Sequence, residues 1–245
     1  MEDLVLWKPL YYTSIVLFVL SLVLLPFSSQ WSIVTILVLV SIWTRIPGFV
    51  HFIFNKLAMN DMFTLIIAAN MGGLAGGIFG AFTMVFSRLF GPNEWMPYTI
   101  RATVALFIGG LSVPLIIAST GGVNTLALYY FEGVVYAVFY IQVLLFWREE
   151  LGLEIGILPI VIFFDFYLTG WLVGVFGNTI SDMLTKGLNS GWPFIIFSGI
   201  ILFYIIVSRN GKKIEQFLES IWNRFKPSTS PEKRSKEDDF LDEIR

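Results

Sequence analysis

The chain has 245 residues, 56% hydrophobic and 14% charged, with a mean hydropathy of +0.75 and a net charge of −2. Of its 16 basic and 18 acidic residues, 8 and 8 fall within 210–245, so residues 1–209 carry too few charges to cover a soluble surface of that size. Zero cysteines and one histidine, His51, exclude disulfides, thiolate metal sites, cysteine nucleophiles and schemes needing two histidines, and neither a GxxxxGK[ST] loop nor a basic, aromatic-interleaved stripe for nucleic acid occurs.

A bilayer span needs about 20 mainly apolar residues. The candidates, in chain order, are Leu10–Phe27, Trp31–Phe54, Met62–Phe90, Tyr98–Ala118, Val123–Trp147, Ile155–Gly177 and Trp192–Ser208. Trp7, Trp31, Trp95, Trp147 and Trp192 stand near their ends, as in an interfacial aromatic belt. The pattern predicts an all-α, polytopic transmembrane helix bundle over residues 1–209. Glu2 and Asp3 precede the first run and no A-x-A site follows Pro26, so that run is expected to be a retained helix rather than a signal peptide.

Lys212, Lys213, Arg224 and Lys226 follow the last run, which places the C-terminus in the cytoplasm. Seven simple spans would then leave Arg45 and Lys56 outside. The conflict disappears if Met62–Phe90, interrupted by Gly72-Gly73 and Gly76-Gly77, is broken and returns to its own side. An alternative repair makes Arg45–Asn60 an interfacial segment, since Pro47-Gly48 breaks the second run there. The expectation is about six full spans plus one irregular glycine-rich segment, with both termini cytoplasmic in a multi-pass cell-membrane protein.

Residues 210–226 repeat Ile214, Phe217, Leu218, Ile221, Trp222 and Phe225 at helical spacing, with Lys213, Glu215, Glu219 and Arg224 opposite. This reads as a cytoplasmic amphipathic helix that lies on the inner leaflet or docks a partner. Residues 227–245 are rich in charge, serine and proline and are expected to be a disordered tail.

Two constellations stand out within the apolar domain. Gly72, Gly76 and Gly80, overlapped by Ala69, Gly73, Gly77 and Ala81, form a face nearly free of side chains, suited to close helix packing or to a partner. Glu132 lies about 14 Å into its helix and Asp165 about 15 Å into its own, at 1.5 Å per residue. Ionised carboxylates at that depth need a partner or water. Tyr129, Glu132, Tyr136 and Tyr140 share one helical face of about 80°. Asp165 has Thr169 one turn on, and Arg101 and Arg88 are the cations at a suitable depth for pairing.

Asn70, Glu132, Tyr136, Tyr140 and Asp165 are therefore the candidate ligand-binding residues, and Gly72, Gly76 and Gly80 the packing residues. An internal ion pair or hydrogen-bond network, a ligand cavity, and a proton or cation relay all fit the acids. Neither a nucleophile–base pair nor an acidic metal cluster is visible, so no enzyme, metal or cofactor is expected. Asn178 or Thr179 is expected to cap a short helix running through Asp182 and Lys186, or to gate an external entrance.

The run Arg45-Ile46-Pro47-Gly48, followed by Gly72-Gly73-Leu74-Ala75-Gly76-Gly77-Ile78-Phe79-Gly80, resembles the substrate-binding S components of energy-coupling-factor vitamin transporters. The same glycine stretch is similar to the rod-shape-determining MreD-like membrane proteins. Arg88 stands where both families often show an acidic residue. The first resemblance implies a compact bundle of about six helices that binds a small molecule toward the outer leaflet and works with a separate energising complex. The second implies a non-catalytic scaffold that holds membrane or cytoplasmic partner proteins.

Overall fold

A computed structural model of the chain describes residues 8–45, 59–90 and 96–187, with residue 199 besides; those from 8 to 187 belong to the unit Trp7–Leu202. Every element among the described residues is helical. The apolar runs become helices whose ends are set by local chemistry. Helix α1 covers Lys8–Leu24 and α2 covers Ser29–Thr44. Ser28 caps α2, its hydroxyl accepting from the Trp31 amide at 3.5 Å. The two helices form an antiparallel pair pinned near both ends. Trp43 Nε1 donates to Ser14 Oγ at 3.0 Å, and Ser32 Oγ donates to the Ser21 carbonyl at 2.8 Å.

The long glycine-rich run is two helices. Helix α3 (Asn60–Met71) ends at Gly72, and α4 (Gly73–Phe90) begins at once. Gly72 sits at φ 98°, a backbone conformation that glycine reaches without a Cβ clash. Contacts then pair symmetrically about it. A Cβ placed on Gly76 would overlap Ala68, and one on Gly80 would lie 2.6 Å from Thr64 Oγ1. Positions four and eight residues either side of Gly72 thus meet, so α3 and α4 run back along each other. Helix α3 is about 18 Å long, short of a hydrocarbon core of about 30 Å, and Met62 to Ala68 are buried without a gap.

The other glycine ladder serves a different neighbour. Helix α5 spans Met96–Thr120 and passes antiparallel to α4. Cβ atoms on Gly73 and Gly77 would lie 2.9 Å from the Leu111 carbonyl oxygen and 2.7 Å from that of Phe107. The two ladders therefore hold two helices, Gly76 and Gly80 against α3 and Gly73 and Gly77 against α5. Gly72 is the break itself and no packing residue, for a Cβ there would meet nothing within 4 Å.

Helix α6 (Thr125–Phe146) starts at Asn124, whose Oδ1 accepts from the Ala127 amide at 2.8 Å. A short 3₁₀ turn, Arg148–Glu150, leads into α7 (Leu151–Ile162), a π-helical turn (Phe163–Leu168) and α8 (Thr169–Lys186). These last three are continuous. Asn178 and Thr179 lie inside α8 and start no helix, because the chain holds helical geometry to Lys186, which pairs with Asp182 at 2.9 Å.

Among the described residues, three helices are long and apolar enough to cross a membrane: Pro97–Thr120, Thr125–Phe146 and Glu154–Lys186. Pro9–Leu24, Ser29–Thr44 and Gly73–Leu89 are shorter and apolar. Large apolar side chains such as Leu74, Ile78, Phe82, Val85 and Leu89 on α4 point outward at helical spacing, as lipid-facing residues do. The architecture is thus an α-helical membrane bundle. The expected span Trp192–Ser208, the helix 210–226, the tail 227–245 and the break at Pro47-Gly48 lie outside the described residues.

The packing argument makes a direct prediction. Gly76→Val should lower the melting temperature in detergent sharply or prevent accumulation, since overpacking costs about 1–3 kcal/mol even where side chains can adjust. Gly133→Ala, inside α6 where a Cβ meets nothing within 4 Å, should hold it or raise it slightly, since alanine is the better helix former. Equal melting of both variants would contradict the close approach of α3 and α4.

Candidate functional site

Helix α6 and the α7–α8 segment lie antiparallel and border a partly open cavity of about 70 Å³. From α6 come Glu132, Tyr136, Phe139 and Tyr140, one continuous face at steps of one to four residues. From the opposite side come Glu154, Ile157, Val161 and Asp165, at steps of three and four. Asp61 in the first turn of α3, Met84 of α4 and Tyr98 of α5 complete the wall.

The π turn explains how Asp165 joins this wall while α8 still packs. The inward positions Val161, Asp165, Thr169 and Val173 are all buried and four residues apart. In an α-helix each such step drifts by about 40°, and the wider turn absorbs that drift. Its bond is made by Thr169, whose amide and hydroxyl both donate to the Phe164 carbonyl, the hydroxyl at 3.2 Å. Thr169 thus supports the turn rather than the Asp165 carboxylate.

The central feature is a convergence of acids. Asp61, Glu132 and Asp165 each offer a carboxylate oxygen, and these three atoms all lie within 4.8 Å of one another. The Tyr136 hydroxyl donates to Asp165 Oδ2, and the Tyr140 hydroxyl donates to the Glu154 carbonyl at 3.4 Å. Glu132 is 1% exposed and Asp165 5%. Two like charges at that separation repel by about 3 kcal/mol even at an effective dielectric of 20. Three together require compensating positive charge, from protons, from arginine or from a bound cation.

Arg101 is committed elsewhere, against the expectation that it would pair with Glu132 or Asp165. Its Nη2 donates to Glu150 Oε2 at 2.7 Å and to Glu154 Oε1 at 3.4 Å. The guanidinium carbon lies 5.1 Å from the Phe139 and Trp147 ring centroids, so its planar face is satisfied by aromatic rings. Arg88 stacks over Tyr98 at 4.8 Å and donates to Thr99 Oγ1.

Four of the five residues singled out from sequence, Glu132, Tyr136, Tyr140 and Asp165, line this one cavity. Asn70 does not. Its Nδ2 donates to the Ile66 carbonyl at 2.7 Å and to Ser181 Oγ at 3.1 Å, so it ties α3 to α8. Asp61 and Glu154 escaped the sequence reading because each stands one residue before an apolar run, at Met62 and Ile155, where a span boundary had been drawn. An acid in that place belongs to the first turn of the helix, where the dipole favours it, and that signal would have recovered both. The acidic cluster itself was invisible in one dimension, since Asp61, Glu132 and Asp165 are far apart in the chain.

The donor set is oxygen-rich and anionic with aromatic rings beside it, a chemistry suited to a hard metal cation or a small ammonium group. Comparison of the chain with models of known protein families, with curated proteins and with solved structures finds no match.

Tyr136→Phe should lower stability by about 1.5–3 kcal/mol, the range for a hydrogen bond to a charged group. Tyr129→Phe should change it by less than about 0.5 kcal/mol, because that half-exposed ring packs on Phe166 and its hydroxyl makes no hydrogen bond among the described residues. Thermal unfolding followed by intrinsic fluorescence reads both; an equal loss in the two variants would deny the Tyr136–Asp165 bond its role.

Proposed function

We propose that this chain is a non-catalytic integral membrane subunit that takes a small cationic solute into its helix bundle, as the solute-binding component of a transport system energised by a separate complex. The observation that carries this reading is the cavity wall: Asp61, Glu132, Glu154 and Asp165 with Tyr98, Tyr136 and Tyr140 around one space inside an apolar bundle. A membrane interior penalises each of those acids, and a cation bound among them offsets the penalty. Volume selects among solutes. About 70 Å³ suits an ion or a small amine with water, and lies below the range of about 300–1,000 Å³ typical of sites for larger molecules.

The proposed topology has six full spans with the α3–α4 hairpin as the irregular segment that returns to its own side, and both termini cytoplasmic. Arg45, Arg88, Arg101 and Arg148 support it. Arg45 reaches Met84 at 3.4 Å, Arg88 and Arg101 both lie over Tyr98, and Arg148 adjoins the Glu150 that Arg101 binds, so all four gather at one end of the bundle. The positive-inside rule assigns that end to the cytoplasm. The cavity lies toward the same end. This differs from the outer-leaflet position that the S-component resemblance implies, so the reading rests on the cavity and not on the resemblance. The scaffold reading draws less support, because α3 and α5 occupy the glycine face that a partner would have used.

Protein purified in mild detergent should release a metal ion or small amine identifiable by mass spectrometry, or bind added Mn²⁺ or methylammonium. Glu132→Gln and Asp165→Asn should weaken that binding by about tenfold or more, the factor that 1.4 kcal/mol converts to, while Asn70→Ala leaves it intact. No released cation and no binding of either probe at millimolar concentration would refute the proposal.

A further inference from the structure

Helix α7 differs from every other wall of the cavity. Its inner face, Glu154, Ile157 and Val161, lines the space, while Gly152, Ile155, Gly156, Pro159 and Ile162 on its outer side are exposed. Among the described residues its main neighbours are its own continuations, the 3₁₀ turn before it and the π turn after it. Both ends are built to bend. Trp147, at φ −139° and ψ 47°, breaks the helical path before Arg148. At the other end Pro159 has no amide to give to the Ile155 carbonyl, and the π turn follows four residues later.

Arg101 ties α7 to the rest of the bundle. This arginine is 1% exposed, fixed by the Phe139 and Trp147 rings, and reaches out of α5 to Glu150 and Glu154, one at the foot of α7 and one within its first turn. The Tyr140 hydroxyl adds a bond to the Glu154 carbonyl. We propose that α7 is the door of the cavity, swinging about the Pro159–Leu168 stretch, and that Arg101 is the positioning residue that latches it through Glu150 and Glu154. Glu154 faces both the latch and the cavity, so a cation entering the cavity competes with Arg101 for the same carboxylate and loosens the door from inside. In this structure the space holds about 70 Å³ and is partly open; the swing of α7 widens it and lets the solute exchange toward the arginine-bearing end. The door has a solute to admit only if the cation-binding reading holds, but its movement can be measured without one.

The absence of native cysteine makes the test clean. Ile157→Cys, introduced on the inner face of α7 in the full chain, should react slowly with a water-soluble methanethiosulfonate reagent in membranes. Arg101→Gln should raise that rate by about tenfold or more, corresponding to about 1.4 kcal/mol of lost closure. Glu154→Gln should raise it by less, and Arg101→Lys should restore most of the slow rate. Val113→Cys, at a position 0% exposed in α5, should stay unreactive in every background and so reports unfolding. If Arg101→Gln does not insert, Glu154→Gln, which keeps the guanidinium and an acceptor oxygen, carries the same comparison. An Ile157→Cys rate that is the same with and without the latch would overturn the door, as would a parallel rise at Val113→Cys. A door that opens in protein that binds neither Mn²⁺ nor methylammonium would overturn the cation reading alone.

Discussion

With its φ of 98°, Gly72 turns an apolar run too long for one span into two short antiparallel helices, and most of the bundle is arranged around that reversal. The reversal buries α3 on nearly all sides, which is why Met62 to Ala68 are buried without a gap and apolar but for Thr64, whose hydroxyl donates to the Asn60 carbonyl. It also demands that α4 approach two neighbours at backbone distance. Glycines at 76 and 80 allow the approach to α3, and those at 73 and 77 the approach to α5. In a membrane this contact is held by dispersion and shape rather than by exclusion of water, so one added methyl group acts directly on the fold.

The same reversal determines the chemistry. By sending α3 back along α4 it brings the first turn of α3, with Asp61, to the level of Met84 and Tyr98. There Asp61 meets Glu132 of α6 and Asp165 of the π turn. Each acid is supplied by a different irregularity or helix: a helix start, a helix middle and a widened turn. Arg101 separates the acids into two groups, binding Glu150 and Glu154 at the edge and leaving the triad deeper in the bundle. A site of concentrated negative charge bordered by a cation latch is a natural place for a positively charged solute to enter and to be released.

Much of this was legible in the sequence, and the reasons for what was not are physical. Charge scarcity in residues 1–209 marked a helical membrane protein, and the depth of Glu132 and Asp165 marked them as unsuited to lipid. Helical periodicity put Tyr136 and Tyr140 on the face of Glu132, where they stand in the cavity. Asn70 looked equivalent because a polar residue beside a glycine ladder carries no direction; its amide turned out to serve α8 through Ser181. Arg101 looked like a partner for the mid-membrane acids because depth was the sole criterion, and depth does not say which acid shares its side of the bundle. The π turn left no compositional mark, since nothing in Phe163–Leu168 distinguishes a five-residue hydrogen bond from a four-residue one.

The most direct test of the account is infrared difference spectroscopy of the carboxyl region on adding Mn²⁺ or methylammonium to the purified protein. The account predicts a change in carboxylate stretching that shrinks in each of Asp61→Asn, Glu132→Gln and Asp165→Asn and vanishes when all three are combined. A spectrum without a carboxylate change, or one that the combined variant reproduces in full, would contradict it.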